Sequence, residues 1–469
     1  MKQSILLSSL CVGLLCGCAN VKTADYQRPD APAKPSWSRP AEATVSAAGT
    51  ISPQWWTEFG DPTLDGLVAK AIAGNFDLKV LAGRIAIAKT QIDEVRAGAQ
   101  PVADLGAGAS FEKTTGQRFG KQFSLGTQVS WDIDIWGRVD KGVQAQTAEF
   151  HATEADWRAG YLVLVAAVST TYFQILQLDE QTSQQQRALE KNQRILAIYT
   201  AMRDSGLVPA TQVLRQSAEN KRLAKDLIEL RRLRDVSENA LATLLGTPAG
   251  ELKIAAGRLV DRVQAPAVPA GLPLDLLTRR PDVVAAEYRV LSAHDLVGSA
   301  KLAQLPSISL TGRGGSSSFA LGDLLRSFTF GLLPSINIPL FNPGIKARVK
   351  TSEAQAQAIE QDYKRTVIAA YEEVENALVN LDARRRQREE LHGQVEQLEQ
   401  VAVQTEAQLA AGLISQLEVF ETERSLLAAR LALLAGHQQL LADTVTLYKA
   451  LGGGWGPVKV ANASRDASR

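Results

Sequence analysis

The sequence predicts an α+β membrane protein built as an internal tandem repeat, each half supplying two strands and a long helical hairpin. Three observations predict it. The chain repeats itself at a spacing of 205 to 206 residues. Two segments alternate apolar and polar residues. Two long stretches, Val139 to Asp204 and Ile345 to Ala411, contain no proline.

The N-terminus comes first. Lys2 precedes an apolar run through Ile5, Leu6, Leu7, Leu10, Val12, Leu14 and Leu15. A run this short reads as a signal peptide, residues 1–17, rather than a spanning helix. It ends in Leu15-Cys16-Gly17-Cys18, a lipobox-like sequence in which Cys18 is the expected acceptor of a diacylglycerol. Cys11 and Cys16 then leave with the peptide, and Ala19 after Cys18 fits release to an outer membrane. Residues 18–53 carry Pro29, Pro32, Pro35 and Pro40 and read as an extended tether.

Matched pairs define the repeat. Asp77 and Arg84 pair with Asp282 and Arg289, Pro101 with Pro306, and Ser130-Trp131-Asp132-Ile133 with Ser335-Ile336-Asn337-Ile338, all 205 apart. Downstream, Gly206-Leu207 pairs with Gly412-Leu413 and Leu245-Gly246 with Leu451-Gly452, 206 apart. The first repeat spans 54–250, with a helix, a β-hairpin over 101–136 and a helical hairpin over 138–247. A linker, 251–271, leads to the second repeat, 272–454, with its β-hairpin over 306–341 and helical hairpin over 343–451. A tail occupies 455–469.

The strands show period two. Phe123, Leu125, Val129, Trp131, Ile133 and Ile135 alternate with Gln122, Ser124, Gly126, Gln128, Ser130, Asp132 and Asp134. In the second half Phe328, Phe330, Leu332, Ile336, Ile338 and Leu340 oppose Thr329, Gly331, Ser335 and Asn337. Asp132 and Asp134 are expected to line a wet lumen. Trp131 and Trp136 fit either an interfacial aromatic girdle or strand-end packing. The proline-free stretches would run about 100 Å as helix. Val367, Tyr371, Val374, Leu378 and Leu381 form a coiled-coil seam in the second of them, and Arg384-Arg385-Arg386 is read as solvated surface. Four strands cannot close a barrel and their apolar face lacks cover. Two chains would give eight strands and three would give twelve, with the helices continuing the tube beyond the membrane.

Composition excludes other classes. A net charge of +1 lacks the basic field of a nucleic-acid binder. Three cysteines exclude a disulfide scaffold, and the absence of an apolar run after the N-terminus argues against a polytopic helical protein. His151, His294, His392 and His437 stand in no metal-ligand spacing. Phosphate loops and nucleophile elbows are missing, and Gly312–Ser318 and Gly452–Gly454 read as backbone. No catalytic residue, metal or cofactor is expected.

Trp55-Trp56, Phe59-Gly60-Asp61-Pro62 and Leu64, Arg279-Arg280-Pro281-Asp282-Val283, and the paired Gly-Leu turns carry a resemblance covering nearly all of the mature chain. The sequence resembles the outer membrane efflux protein family, TolC/OprM type, and within it the NodT-like lipoprotein branch. The resemblance implies a homotrimer, a 12-stranded barrel and a periplasmic helical tunnel, lipid-anchored in the bacterial outer membrane. It further implies passive export of drugs or other small molecules, driven through a periplasmic adaptor by an inner-membrane pump, proton-powered in this reading. Metal-cation efflux and type I protein secretion are alternative uses of such a duct. A structural periplasmic coiled-coil lipoprotein is the remote alternative.

The hairpin tips and two carboxylates are the candidate sites. Gly206 and Gly412 follow long helices and fit left-handed C-caps. Leu207 and Val208, and Leu413 and Ile414, then place apolar residues at the tips. They are expected either to be closed over by the neighbouring hairpin or, as the resemblance implies, to meet the adaptor. Glu418 and Glu421 share a helix face and match family positions at the tunnel's closed end, where trimer symmetry makes rings. Ser415 with Glu418 also reads as a capping box. The first repeat has Gln212 and Arg215 there. Arg203 and Asp204 are candidates for interhelical links.

Overall fold

The computed structural model describes residues 26–32, 34–38, 51–113, 119–268, 276–326, 328–458 and 460. Cys18, the signal peptide, much of the 18–53 segment and parts of the linker and tail lie outside them. Helix α1 (Pro62–Gly74) and α2 (Phe76–Ala97) lead into β1 (Val102–Glu112) and β2 (Gly120–Ile133). Two long helices follow, α3 (Arg138–Asp204) and α4 (Ala210–Leu245). The second half runs α5 (Pro281–Leu302), β3 (Ser307–Ser318), β4 (Thr329–Asn337), α6 (Pro343–Ala410) and α7 (Gln416–Ala450).

Side chains close the helix ends. Asp61 accepts from Thr63 N, with Pro62 at the first helical position of α1. Asn342 and Pro343 do the same for α6, through Ile345 N. The single helix expected ahead of the first β-hairpin is broken at Asn75, which ends α1 and caps α2 by accepting from Leu78 N. An extended residue with a competing side-chain acceptor stops one helix and starts the next.

Element bounds locate the extra residue of the second repeat. α2 and α5 have 22 residues each, whereas α3 has 67 and α6 has 68. Buried positions narrow it further. Leu162, Val165, Tyr172 and Leu176 match Val367, Ala370, Ala377 and Leu381 at a spacing of 205, and Leu189 matches Val395 at 206. The insertion therefore lies between Leu381 and Val395, inside a continuous helix. One residue turns a helix face by about 100°, yet the matched positions Leu189 and Val395 are both buried beyond it.

The core gathers at mid-length of α3 and α6 and at the C-terminal ends of α4 and α7. A 3₁₀ turn, Trp55–Phe59, buries Trp55 against Tyr448 of α7, ring centroids 4.9 Å apart, and Phe59 against Phe173 of α3 at 5.1 Å. Tyr172 donates to Asp61 Oδ2 at 2.5 Å, and its burial pushes the phenol up to about 12. α3 does contain a stretch apolar and long enough to cross a bilayer, which the composition reading overlooked. Just over half of it, 56%, is buried inside the fold, as in a core helix. The seam on α6 is buried at Val367, Val374, Leu378 and Leu381.

Residues 26–32 and 34–38 are non-helical but strapped to the body. Arg28 pairs with the buried Glu287 of α5, and Lys34 with Glu375 of α6. Trp37 packs edge-on to Tyr371 at 6.3 Å. Proline prevents regular structure here, but the aromatic and charged residues between the prolines find partners.

The four strands form one antiparallel sheet in the order β1-β2-β3-β4. Register fixes two faces. Leu105, Thr127 and Gly314 share one, and Asp104, Gln128 and Arg313 the other. Leu105, Phe330, Leu332 and Ile336 are largely exposed on the apolar face. β1 and β4 are edges. Ile338 and Leu340 lie past the end of β4, and Leu333 falls on the polar face opposite Thr311.

Candidate export path and hairpin tips

The polar sheet face is built from small and hydroxylic residues. Gly106, Gly108, Ser124, Gly126, Ser309, Thr311, Gly315, Ser317, Gly331 and Ser335 carry this parity, with Asp104, Gln128, Asp132 and Arg313 among them. Asp132 is exposed on this face. Asp134 is not part of it. The strand ends at Ile133, and the Asp134 carboxylate accepts from the backbone N–H of Arg138 and Val139, each at 2.8 Å, and of Asp140 at 3.0 Å. It caps the first turn of α3, where a negative charge meets the positive end of the helix dipole. Continued alternation predicted a lumen position; the helix start overrode it.

The two tryptophans serve strand-end packing. Trp131 Nε1 donates to the Ala99 carbonyl at 2.8 Å, and Trp136 Nε1 to the Pro306 carbonyl at 2.7 Å. Both bonds fasten strand ends to helix–strand junctions of the two repeats.

The two tips have the same turn. Gly206 and Gly412 adopt φ of 74° and 71°. Leu207 N donates to Met202 O and Gly206 N to Arg203 O; Leu413 N donates to Gln408 O and Gly412 N to Leu409 O. These are Schellman motifs, and they leave Leu207 at 71% and Leu413 at 75% exposure. Val208 and Ile414 are half-buried. Within the chain, neither tip leucine is closed over by the neighbouring hairpin.

Above the tips the two hairpins enclose a groove of about 1010 Å³. Glu421, Gln212 and Arg215 line it together; Glu418 does not. Glu421 pairs with Arg424 at 2.6 Å, both exposed. Ser415 is the N-cap of α7 but makes no side-chain cap, so the side-chain half of the expected capping box is unmade. Arg203 and Asp204 pair with each other, at 2.6 Å, so the interhelical link expected of them is not formed.

Other residues join the hairpins. Lys191 of α3 reaches Glu406 of α6 at 2.6 Å and Glu423 of α7 at 2.5 Å. Burial opposes its charge, but the bonds to Glu406 and then Glu423 outweigh that and raise its pKa. Tyr199 of α3 meets Phe420 of α7 edge-on at 6.4 Å. Sequence reading missed Lys191 because its partners lie on two other helices, more than 200 residues away. The signal available was a lysine on α3 and two glutamates on α6 and α7.

Comparison with known proteins agrees with this architecture. The family described as "Outer membrane efflux protein" matches residues 67–247 and 272–453. The chain is 31% identical to the pyoverdine export outer membrane protein OpmQ of Pseudomonas aeruginosa, over 92% of this chain and 94% of that protein. It is 31% identical to the cation efflux system protein CusC of Escherichia coli, over 96% and 98%. The solved open state of the Neisseria gonorrhoeae MtrE outer membrane channel superposes with a TM-score of 0.82 at 27% identity, covering 92% of this chain and 98% of that one. Two matched segments in one chain are the tandem repeat, each with its strand pair and long helical hairpin. The chain belongs to the outer membrane efflux protein family and is an outer-membrane efflux channel.

Proposed function

We propose that three copies of the chain close a 12-stranded barrel and form a passive duct, gated at the periplasmic tips and engaged there by an adaptor and a proton-driven inner-membrane pump. The carrying observation is the sheet. Its four strands have two open edges and one exposed apolar face. Such a sheet is viable in lipid only if neighbouring chains satisfy the edges. The duct makes and breaks no bonds; it encloses water and lowers the barrier to crossing the membrane.

Cys18 takes the lipid in this reading, on the strength of the lipobox-like sequence. Leu207, Val208, Leu413 and Ile414 on the Gly206 and Gly412 turns form the adaptor contact, since exposed leucines at a tip are costly unless covered. Glu421, with Glu418 beside it, supplies rings that repel one another and favour cations at the closed end. The cargo is a small organic molecule. The polar strand faces carry hydroxyls, glycines and amides rather than sulfur or imidazole, and OpmQ is named for pyoverdine export.

Leu413→Cys tests the docking. The body of the chain after Cys18 has no other cysteine, so the thiol is unique. Crosslinking in intact cells is expected to capture a periplasmic adaptor, and the pump partnered with that adaptor identifies the energy source. A thiol that labels readily yet captures nothing removes the docking assignment. Heat-modifiable trimer bands from outer-membrane fractions test the assembly independently.

A further inference from the structure

Arg313 sits midway along β3 and is the one cation on the polar face of the four strands among the described residues. Its cross-strand partners are Gln128 on β2 and Gly331 on β4. Gly315 and Thr311 flank it on its own strand, and Gly126 lies diagonally across. Apart from Gln128 and Leu333 its neighbours on this face are short, and it is exposed. Asp104 lies in the same cross-strand row two strands away, opposite Gln128. Asp104, Gln128 and Arg313 line one shallow trough.

Resting on the trimeric duct reading, we propose that Arg313 and its two symmetry copies form an anion-attracting collar inside the barrel, selecting cargo that carries a carboxylate or another anionic group. The strand order gives the collar its pattern. In this row each chain places Asp104 on its first strand and Arg313 on its third. Around twelve strands the two charges then alternate at every second strand. Strand spacing and tilt put the backbone about 12 Å from the axis. Arginine is the longest side chain on this face, so three of them converge on the narrowed lumen while glycine neighbours leave them unshielded. In a water-filled channel ringed by low-dielectric wall, such charges act strongly on a passing ion. Asp104 then holds the cationic end of a zwitterion while Arg313 holds its anionic end.

The test reads the local potential and does not depend on opening the tips. Thr311→Cys puts a thiol on the same face, about 7 Å from Arg313 along the strand. Its labelling rates with an anionic and a cationic methanethiosulfonate are compared in whole cells. Arg313→Gln is expected to lower the anionic-to-cationic rate ratio by about threefold or more, the effect of one partly screened unit charge at that distance. Arg313→Lys is expected to restore the ratio and Asp104→Asn to raise it. Trimer bands confirm assembly of each variant. An unchanged ratio in assembled Arg313→Gln overturns the collar and leaves the duct standing. A control on the opposite face, Val129→Cys, separates the two readings. If it labels and Thr311→Cys does not, the face assignment fails and takes both the duct and the collar with it.

Discussion

Asn75 and Arg280 occupy matching positions 205 residues apart and hold down matching helix ends with different chemistry. Asn75 Nδ2 donates to the Leu244 carbonyl at the end of α4, at 3.0 Å. Arg280 Nη1 donates to the Ala450 carbonyl at the end of α7, at 3.1 Å. Each ties the last turn of a helical hairpin to the N-terminus of the 22-residue helix of its own repeat. Arg280 carries more. It is buried, and it also pairs with Asp282 at 2.9 Å and Glu373 at 2.5 Å.

Arg280→Ala therefore removes a donor from two part-exposed carboxylates and from the Ala450 and Ala370 carbonyls, and is expected to cost about 2–3 kcal/mol, below a fully buried pair because water still reaches Asp282 and Glu373. Asn75→Ala loses a cap and one bond, about 1–2 kcal/mol. In trimer-to-monomer transitions followed by gel mobility, the Arg280 variant should melt well below the Asn75 variant. Arg280→Lys should not rescue it, because an ammonium cannot replace the planar fork that serves several acceptors. Equal melting of all three would remove the anchoring role.

Much of this was legible in the sequence. The repeat is written in matched pairs such as Asp77 and Asp282, and the glycine turns at 206 and 412 are fixed by an αL requirement that few residues besides glycine meet. Strand faces follow from period two alone. What was not legible depends on contacts across elements. Asp134 looked like a strand residue until α3 began four residues later and took its carboxylate. The contacts of residues 26–32 and 34–38 were hidden because their partners, Glu287 and Glu375, lie in the second repeat. The Ser415 box had the right spelling, but the α7 N-terminus takes a backbone bond, Glu418 N to Ser415 O, instead.

The Arg28–Glu287 pair has a pH signature. Burial raises the Glu287 pKa above its ordinary 4.5, with Arg28 pulling the other way. A carboxyl with a raised folded pKa binds its proton more tightly folded than unfolded. Its ionisation therefore removes stability as pH rises from the ordinary value through the folded one. Arg28→Ala removes the compensating charge and is expected to cost about 2 kcal/mol at neutral pH, below the full cost of a broken buried pair because Arg28 is part-exposed. The gap from the parent should narrow as pH falls and Glu287 takes up its proton in both proteins. A gap independent of pH would mean Arg28 acts through packing alone.

Glu418 and Glu421 differ in surroundings, and the conductance test can separate them. Glu421 faces the groove beside Arg215 and pairs with Arg424, whereas Glu418 lies outside that lining. The double change to Ala is expected to lower cation preference in a planar bilayer, and Glu421→Ala alone should account for most of it. Arg424→Ala should act in the opposite sense by freeing the Glu421 charge. Currents identical to the parent in all variants would withdraw the constriction from these residues while leaving the channel intact.

Lys191 is the most direct lever on the tips. It is half-exposed, so its pairs with Glu406 and Glu423 each add only about 0–1 kcal/mol to stability. Its position matters more than its energy, because it bridges α3 to both helices of the second hairpin. Lys191→Met leaves two like-charged glutamates facing each other with no cation between them. Trimer melting should shift little. Single-channel recordings should show larger or more frequent conductance steps, as the hairpins separate at the groove. Lys191→Arg should behave as the parent, and raised salt should make the parent behave like the methionine variant by screening the bridge. A methionine variant with parental steps at every salt concentration would reduce Lys191 to a surface pair and shift the tip contact to Tyr199 and Phe420.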